Sequence, residues 1–320
     1  MASAASKESY MMTAAAALLS GCALLAARGV AGPRKELANR IVAGNSELND
    51  FLTGAMQPML DRYTPTWWTN SHVQCFLTFL VPQSPVKYKR DVLQFKDGGQ
   101  ASLDWAIESS VGLTIPLKQD APIAIIMHGL VGCSLLCSYL GETGDQSRLG
   151  AGVLISPGYN AFDLFCRGMI NPVYNFLMTF TLKSFLLRHR NELQDVVDVG
   201  AALKATSIRE FDEHVYMKMH GYSDLEAYWK VNNPMRDVAN IKMPLLCINA
   251  LDDPVCTKET IPYHEFSKKT TAMLVTTGEG SHCAFFEGNF KLKSWSNEAA
   301  MTYLDRLQEY HAASGSAVTA

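Results

Sequence analysis

Two residues in this 320-residue chain stand where an acid–base pair could form. Asp253 lies in Ala250-Leu251-Asp252-Asp253-Pro254, just past an apolar run at 244–250, and His282 follows Gly278-Glu279-Gly280-Ser281 behind a second apolar run at 272–276. Ends of strands are where open α/β sheets place their ligands. An Asp that orients a His, which in turn takes a proton from a hydroxyl, is the acid–base half of a nucleophilic triad. The same residues have a plainer reading, with Asp252 or Asp253 as a helix N-cap and His282 as a satisfied loop histidine.

A third element is His128-Gly129-Leu130-Val131-Gly132. Small residues directly after a buried strand let backbone N–H groups approach a developing oxyanion, which makes Gly129 and Leu130 candidates for that role. A simple glycine turn into the next helix would look the same. The eight cysteines sit in apolar stretches such as Leu245-Leu246-Cys247-Ile248, where a thiol acts as a small hydrophobe. Cys133 and Cys137 are four apart, but no second pair at ligand spacing follows, so neither a metal nor any other cofactor is expected.

The elements that would position these residues follow from periodicity. Residues 86–95 and 101–107 read as two strands around an Asp97-Gly98 turn. Residues 122–127 are wholly apolar and predict a strand buried on both faces. A short helix over 133–141, stopped by Gly141, a strand over 152–156, a helix-rich stretch to 229, strands at 244–250 and 272–276 and a closing helix complete the pattern. The alternation predicts an α/β fold with a mostly parallel sheet and a helical cap at about 160–240 inside one domain spanning 46–312, with a disordered tail at 313–320.

A content of 48% hydrophobic and 18% charged residues excludes wholesale disorder and a polytopic membrane protein. With 28 basic against 31 acidic side chains, no field would recruit nucleic acid. Residues 11–27 carry no charge and stand at the short end of the roughly 17–25 needed to span a bilayer. Residues 1–45 are therefore expected to be a single-pass membrane anchor with its linker, the alternatives being a removable targeting segment and a buried helix. Arg28, Arg34, Lys35 and Arg40 follow that stretch and, by the positive-inside tendency, would keep the main domain cytoplasmic.

From about Pro65 to Gly288 the motifs carry a family resemblance. Pro65-Thr66-Trp67-Trp68 with His72-Val73-Gln74, Ser102-Leu103-Asp104-Trp105, Tyr139-Leu140-Gly141-Glu142, Ile208-Arg209-Glu210-Phe211-Asp212, Gly221-Tyr222, Asp252-Asp253-Pro254 and His282 with Phe285-Phe286-Glu287-Gly288 resemble the AB hydrolase 4 family. The resemblance implies an α/β-hydrolase fold and hydrolysis of carboxylic esters, acylglycerols among them, by a Ser, Asp, His triad. It puts the charge-relay roles on Asp253 and His282, with Asp252 the weaker candidate. It also implies a lipid or other ester as substrate and an N-terminal anchor, commonly of the opposite orientation to that suggested by the charges.

The chain departs from the family at one place. Only 17 residues separate Gly132 from Gly150. The family sets two strands and two helices there, including the nucleophile elbow, whereas a single strand-helix-strand unit takes about 30 residues. No G-x-S-x-G occurs; Gly132-Cys133-Ser134-Leu135-Leu136 comes nearest, and its last position is Leu. An internal block carrying central strands is therefore expected to be missing. A second reading moves the 123–127 strand into the vacant slot and makes Ser134 a makeshift nucleophile; Ser138 and Ser156 are weaker candidates. The function that follows is an ester-hydrolase relative with impaired turnover or, alternatively, a silent relative that binds a lipid or a partner.

Overall fold

A computed structural model of the chain describes residues 39–66, 70–78, 86–96, 98, 100–106, 123–127, 129–288 and 292–315. The apolar stretch at 11–27 and His128 lie outside them. In chain order the elements are β1 (Arg40–Ala43), α1 (Glu47–Asp61), α2 (Ser71–Leu77), β2 (Tyr88–Gln94), β3 (Gln100–Ala106), α3 (Gly129–Thr143), β4 (Gly152–Ile155), α4 (Ala161–Phe165), α5 (Pro172–Arg188), α6 (Arg190–Leu193), α7 (Val199–Lys204), α8 (Ile208–His214), α9 (Tyr216–Met219), α10 (Leu225–Val231), β5 (Leu245–Ala250), α11 (Tyr263–Lys268), β6 (Ala272–Thr277), β7 (Phe286–Glu287), β8 (Lys293–Ser294) and α12 (Trp295–Ala313). The chain divides into two compact units, one of residues 1–79 with 128–320 and one of residues 80–127.

In the larger unit four strands form one sheet in the order β1-β6-β5-β4. The pairs β4·β5 and β5·β6 are parallel, with Val153 opposite Leu246 and Cys247 opposite Leu274. β1 closes the other edge antiparallel, Ile41 facing Val275, so part of the expected 1–45 anchor-and-linker segment is a strand of the sheet instead. Every residue of β5 and β6 is buried, as both faces are covered. Leu246, Ile248, Met273 and Val275 meet α1 and α12 through Leu52, Met56, Leu60, Trp295 and Tyr303. Their neighbours Leu245, Cys247, Ala272 and Leu274 meet α3 and α11 through Cys137, Leu140 and Phe266. The result is a helix–sheet–helix sandwich built from the period-two alternation of the two central strands.

Helix α3 runs past Gly141, where the sequence suggested a stop. A Cβ at Gly141 would lie 2.8 Å from the Asp237 carbonyl oxygen, so the glycine serves close packing inside the helix. Gly129 and Leu130, expected in a loop, open that helix.

The cap comprises α4 to α10. Its helices α4, α5, α7, α8 and α10 each begin at an Asn, Asp or Ser (Asn160, Asn171, Asp198, Ser207 and Asp224) whose side chain accepts a first-turn N–H. Leu186, Val197, Ala202, Phe211 and Val215 form one apolar cluster within it, and Leu164, Phe165, Ile170, Tyr174 and Ile208 join Val255 and Cys256 in another.

In the smaller unit β2 and β3 form the expected hairpin, Asp91 opposite Leu103, with Arg90 gripping the Asp104 carboxylate through Nε and Nη2 at 2.6 Å each. Residues 123–127 are not a strand. Among the described residues no strand pairs with them, and they are exposed, Ile123 at 74% and Ile126 at 82%, which overturns the expected buried strand and with it the transfer of such a strand into the vacant slot. A central strand needs hydrogen-bonded neighbours on both sides, and none of the strand pairings among the described residues includes 123–127.

Within the cap, Asp212 is buried with Oδ2 unpartnered, and burial followed by the nearby Glu213 pushes its carboxyl up to about 8. The folded protein keeps a proton that the unfolded chain releases near pH 4, so stability falls as pH rises from about 4 to about 8. Replacing Asp212 by Asn is expected to flatten that slope and to raise stability at pH 8 by about 1–3 kcal/mol, read from urea unfolding at several pH values.

Candidate active site

β5 and β6 deliver their following loops to the same end of the sheet, and the two sequence candidates meet there. The Asp253 carboxylate is fully buried, and its Oδ1 accepts the N–H groups of Val255 at 2.7 Å and Cys256 at 2.9 Å. This is an Asx-type turn in which the chain wraps its own carboxylate and holds it oriented. Oδ2 remains for the imidazole, 3.0 Å from His282 Nδ1. Asp252 points elsewhere: its Oδ1 accepts the Ser281 N–H at 2.8 Å, and burial pushes its carboxyl up to about 7. Asp253 thus orients the ring, while Asp252 ties down the loop that carries it.

That loop is strained. Ser281, Cys283 and Phe285 all adopt positive φ, at 58°, 63° and 46°, a region that costs a residue with a side chain about 1–2 kcal/mol. Gly280 lets the loop leave β6 tightly, since a Cβ there would sit 2.5 Å from Phe285 Cδ1 and 2.9 Å from Ala250 Cβ. Phe285 N–H returns to the Gly280 carbonyl at 2.8 Å, and the Ser281 hydroxyl donates to the Ser71 carbonyl of α2. The turn is over-determined by its anchors, as strained backbone at functional sites must be.

Burial pushes the His282 imidazole down. The Asp253 charge and the hydrogen bonds with Asp253, Cys256 and Cys283 together outweigh it, so the ring is held well above the ordinary histidine value of 6.5. With Nδ1 on the carboxylate, Nε2 is the atom left to accept a proton.

Sequence reasoning did not foresee the sulfurs. Cys133 and Cys283 direct their Sγ atoms at the Ile155 carbonyl, 3.4 and 3.7 Å away, while Cys256 lies buried beside the ring. The signal was available: Cys283 adjoins His282, and Cys256 stands third after Asp253. One ligand atom each from Asp253, Cys256 and His282 falls within 4.8 Å of the others, a donor set that zinc accepts. Both Asp253 oxygens are already engaged, however, and burial pushes the Cys256 thiol up to about 12, so the thiolate a metal needs is disfavoured.

Ser134 occupies the second turn of α3, and no strand leads into it. The geometry of a nucleophile elbow, a sharp strand-to-helix turn, is thus not formed around it. Among the described residues no hydrogen bond joins His282 to a serine. Ser138 lies further along the same helix. Ser156, buried at the end of β4 with φ 51°, spends its hydroxyl on accepting the Cys283 N–H at 3.0 Å.

A parallel sheet between helical layers, with an acid beyond its penultimate parallel strand and a histidine beyond the last, is the arrangement of α/β hydrolases. Comparison with known proteins agrees. The chain is 25% identical to Phospholipase ABHD3 of Mus musculus over 345 aligned positions, covering 84% of this chain and 82% of the relative. It is 28% identical to Monoacylglycerol lipase ABHD2 of Homo sapiens over 225 positions, covering 64% and 52%, and 32% identical to Protein ABHD15 of Homo sapiens over 193 positions, covering 59% and 41%. No family model and no solved structure matches the chain. These relatives support membership of the α/β-hydrolase superfamily. Since 84% of 320 residues is about 269, roughly 76 of the 345 positions in the first comparison face a gap in this chain.

Two changes test this geometry. In Asp253→Asn, the titration midpoint of the His282 ring followed by NMR should drop by at least about one pH unit. The pair's contribution to stability is fully present below the ordinary histidine pKa and is lost as pH rises through the folded value, so the variant should lose most stability in acid. Gly280→Ala should destabilise the fold by about 1–3 kcal/mol in urea, because Phe285 or the β5 end must shift to admit a methyl group.

Proposed function

We propose that this protein is a lipid-ester hydrolase relative that keeps the acid–base half of a Ser, Asp, His triad in Asp253 and His282 but whose turnover is impaired by the missing nucleophile elbow. The observation that carries this reading is the buried Asp253–His282 pair at 3.0 Å, with no serine hydrogen-bonded to the ring among the described residues. In a complete triad a serine oxygen attacks the ester carbonyl, passing its proton to Nε2, and the imidazolium then protonates the leaving alcohol. Here the proton acceptor is built and the group that would supply the proton is not.

The names of the relatives, a phospholipase and a monoacylglycerol lipase, support an acyl lipid as the molecule this site handles. The roughly 76 gapped positions support a missing block, since in total they are enough for two strand–helix units at about 30 residues each. An oxyanion role for Gly129 and Leu130 would require their N–H groups to face the ester from the first turn of α3, where helical N–H groups have no internal partner. Residues 11–27 would tether the protein to the membrane holding its lipid; no helix among the described residues is long and apolar enough to cross one.

Purified full-length chain is expected to hydrolyse p-nitrophenyl butyrate no faster than a heat-inactivated control, to remain unlabelled by a fluorophosphonate probe, and still to bind an acyl lipid saturably. Labelling that disappears in Ser134→Ala would overturn the proposal and make that serine the nucleophile; turnover lost in His282→Ala would likewise show a working enzyme.

A further inference from the structure

Helix α2 is fastened to the loop that carries His282 and bears a side chain that no described residue satisfies. Gln74 is fully buried, and both its Nε2 and its Oε1 lack a hydrogen-bond partner. No other described side chain has two orphaned polar atoms. Native interiors rarely leave even one, and each such exception calls for an explanation.

The surroundings of Gln74 indicate what it faces. Ser71, one turn earlier on α2, receives the Ser281 hydroxyl on its carbonyl, which fastens the helix to the histidine loop. Cys75, the next residue, packs into the apolar cluster of Phe165, Tyr174 and Trp229 together with Val255 and Cys256, whose N–H groups hold Asp253. Residues three and four apart share a helix face, so Ser71, Gln74 and Cys75 are turned toward the same end of the sheet. His72 Nδ1 meets the Tyr174 hydroxyl at 3.0 Å, and Trp229 Nε1 in that cluster is also buried without a partner.

We infer that Gln74 is a ligand-binding residue whose carboxamide receives the head of an acyl ester bearing a free neighbouring hydroxyl, Nε2 donating to the ester carbonyl and Oε1 accepting the hydroxyl. This rests on the lipid-ester reading above and sharpens it. A carboxamide has a donor end and an acceptor end to satisfy, whereas an ester offers acceptors alone. A methyl ester would leave Oε1 orphaned, but an ester of glycerol with a free hydroxyl answers both ends. The apolar cluster beside Gln74 then takes the acyl chain, and Trp229 lies within it as a reporter.

The test compares monodecanoylglycerol with methyl decanoate, titrated into the full-length protein and read by tryptophan fluorescence. Wild type should bind the glycerol ester about tenfold more tightly, as expected when one further polar group is satisfied. Gln74→Met, which keeps the length and removes the polar atoms, should erase that preference, leave methyl decanoate binding within about twofold, and unfold at the same temperature or higher. A preference that survives in Gln74→Met, equal wild-type affinity for the two esters, or a melting temperature lowered by several degrees in the variant would overturn the assignment, the last by revealing a protein partner for the amide. Failure of wild type to bind either ester would sink the lipid-ester reading as well, a result distinct from equal binding of both.

Discussion

A strand sealed between two helical layers has no water to turn to, so each of its backbone groups must find a ladder partner, and β5 finds them on both sides. Its register with β6 runs from Leu245↔Ala272 to Ala250↔Thr277 and with β4 from Gly152↔Leu245 to Ile155↔Ile248. The rest of the larger unit follows from that double pairing. It fixes where β5 and β6 end, hence where Asp253 and His282 emerge, and it aligns the alternating residues that α1 and α12 cover on one face and α3 and α11 on the other. The same requirement explains the fate of residues 123–127. Their composition suits a central strand, but composition cannot supply neighbours, and without a ladder on either side a run of Ile and Met stays outside the sheet.

The acid–base pair survives because it depends on nothing upstream of β4 except α2. Asp253 is oriented by N–H groups two and three residues further along its own loop, and His282 by a turn whose strain is held through Gly280, Asp252 and the Ser281 hydroxyl. Apart from the Ser281 hydroxyl on the Ser71 carbonyl of α2, these contacts are local to the loops after the last two parallel strands. A nucleophile, by contrast, must be presented by a separate strand and turn. Ser134 is not presented in this way among the described residues: it lies well inside a helix, away from the strand-to-helix turn that an elbow uses.

Much of this was legible in the sequence, for identifiable reasons. The runs at 244–250 and 272–276 read correctly as strands because they are short, apolar and bounded by turn residues, and the hairpin of 88–94 with 100–106 was marked by the glycines between its strands. Three things were not legible. Residues 122–127 carry a strand's composition, and pairing is a tertiary property that no local pattern reports. Gly141 looked like a helix stop because its real constraint, Asp237, lies almost a hundred residues away. The sulfurs around His282 were treated one by one as small hydrophobes, and only the fold shows that three separate loops and helices bring Cys133, Cys256 and Cys283 together.

A buried carboxylate–imidazole pair is not kept in place by the stability it brings. Desolvation of both groups offsets most of their attraction, and well-packed apolar side chains in such a place are commonly as good or better. Losing one partner alone is the expensive event, because it strands the other in a medium of low polarity. A triad deprived of its nucleophile therefore cannot shed its other members one residue at a time without crossing a destabilised intermediate. An imidazole that no serine shares is an ordinary hydrogen-bonding group at the end of the sheet. Beside it stand a thiol-rich wall and, on α2, a carboxamide with both ends unpartnered. Polar groups that catalysed in a complete fold would in this one be better suited to holding a ligand than to transforming it, since binding needs only complementary donors and acceptors, whereas turnover needs an activated oxygen set within bonding distance of the carbonyl.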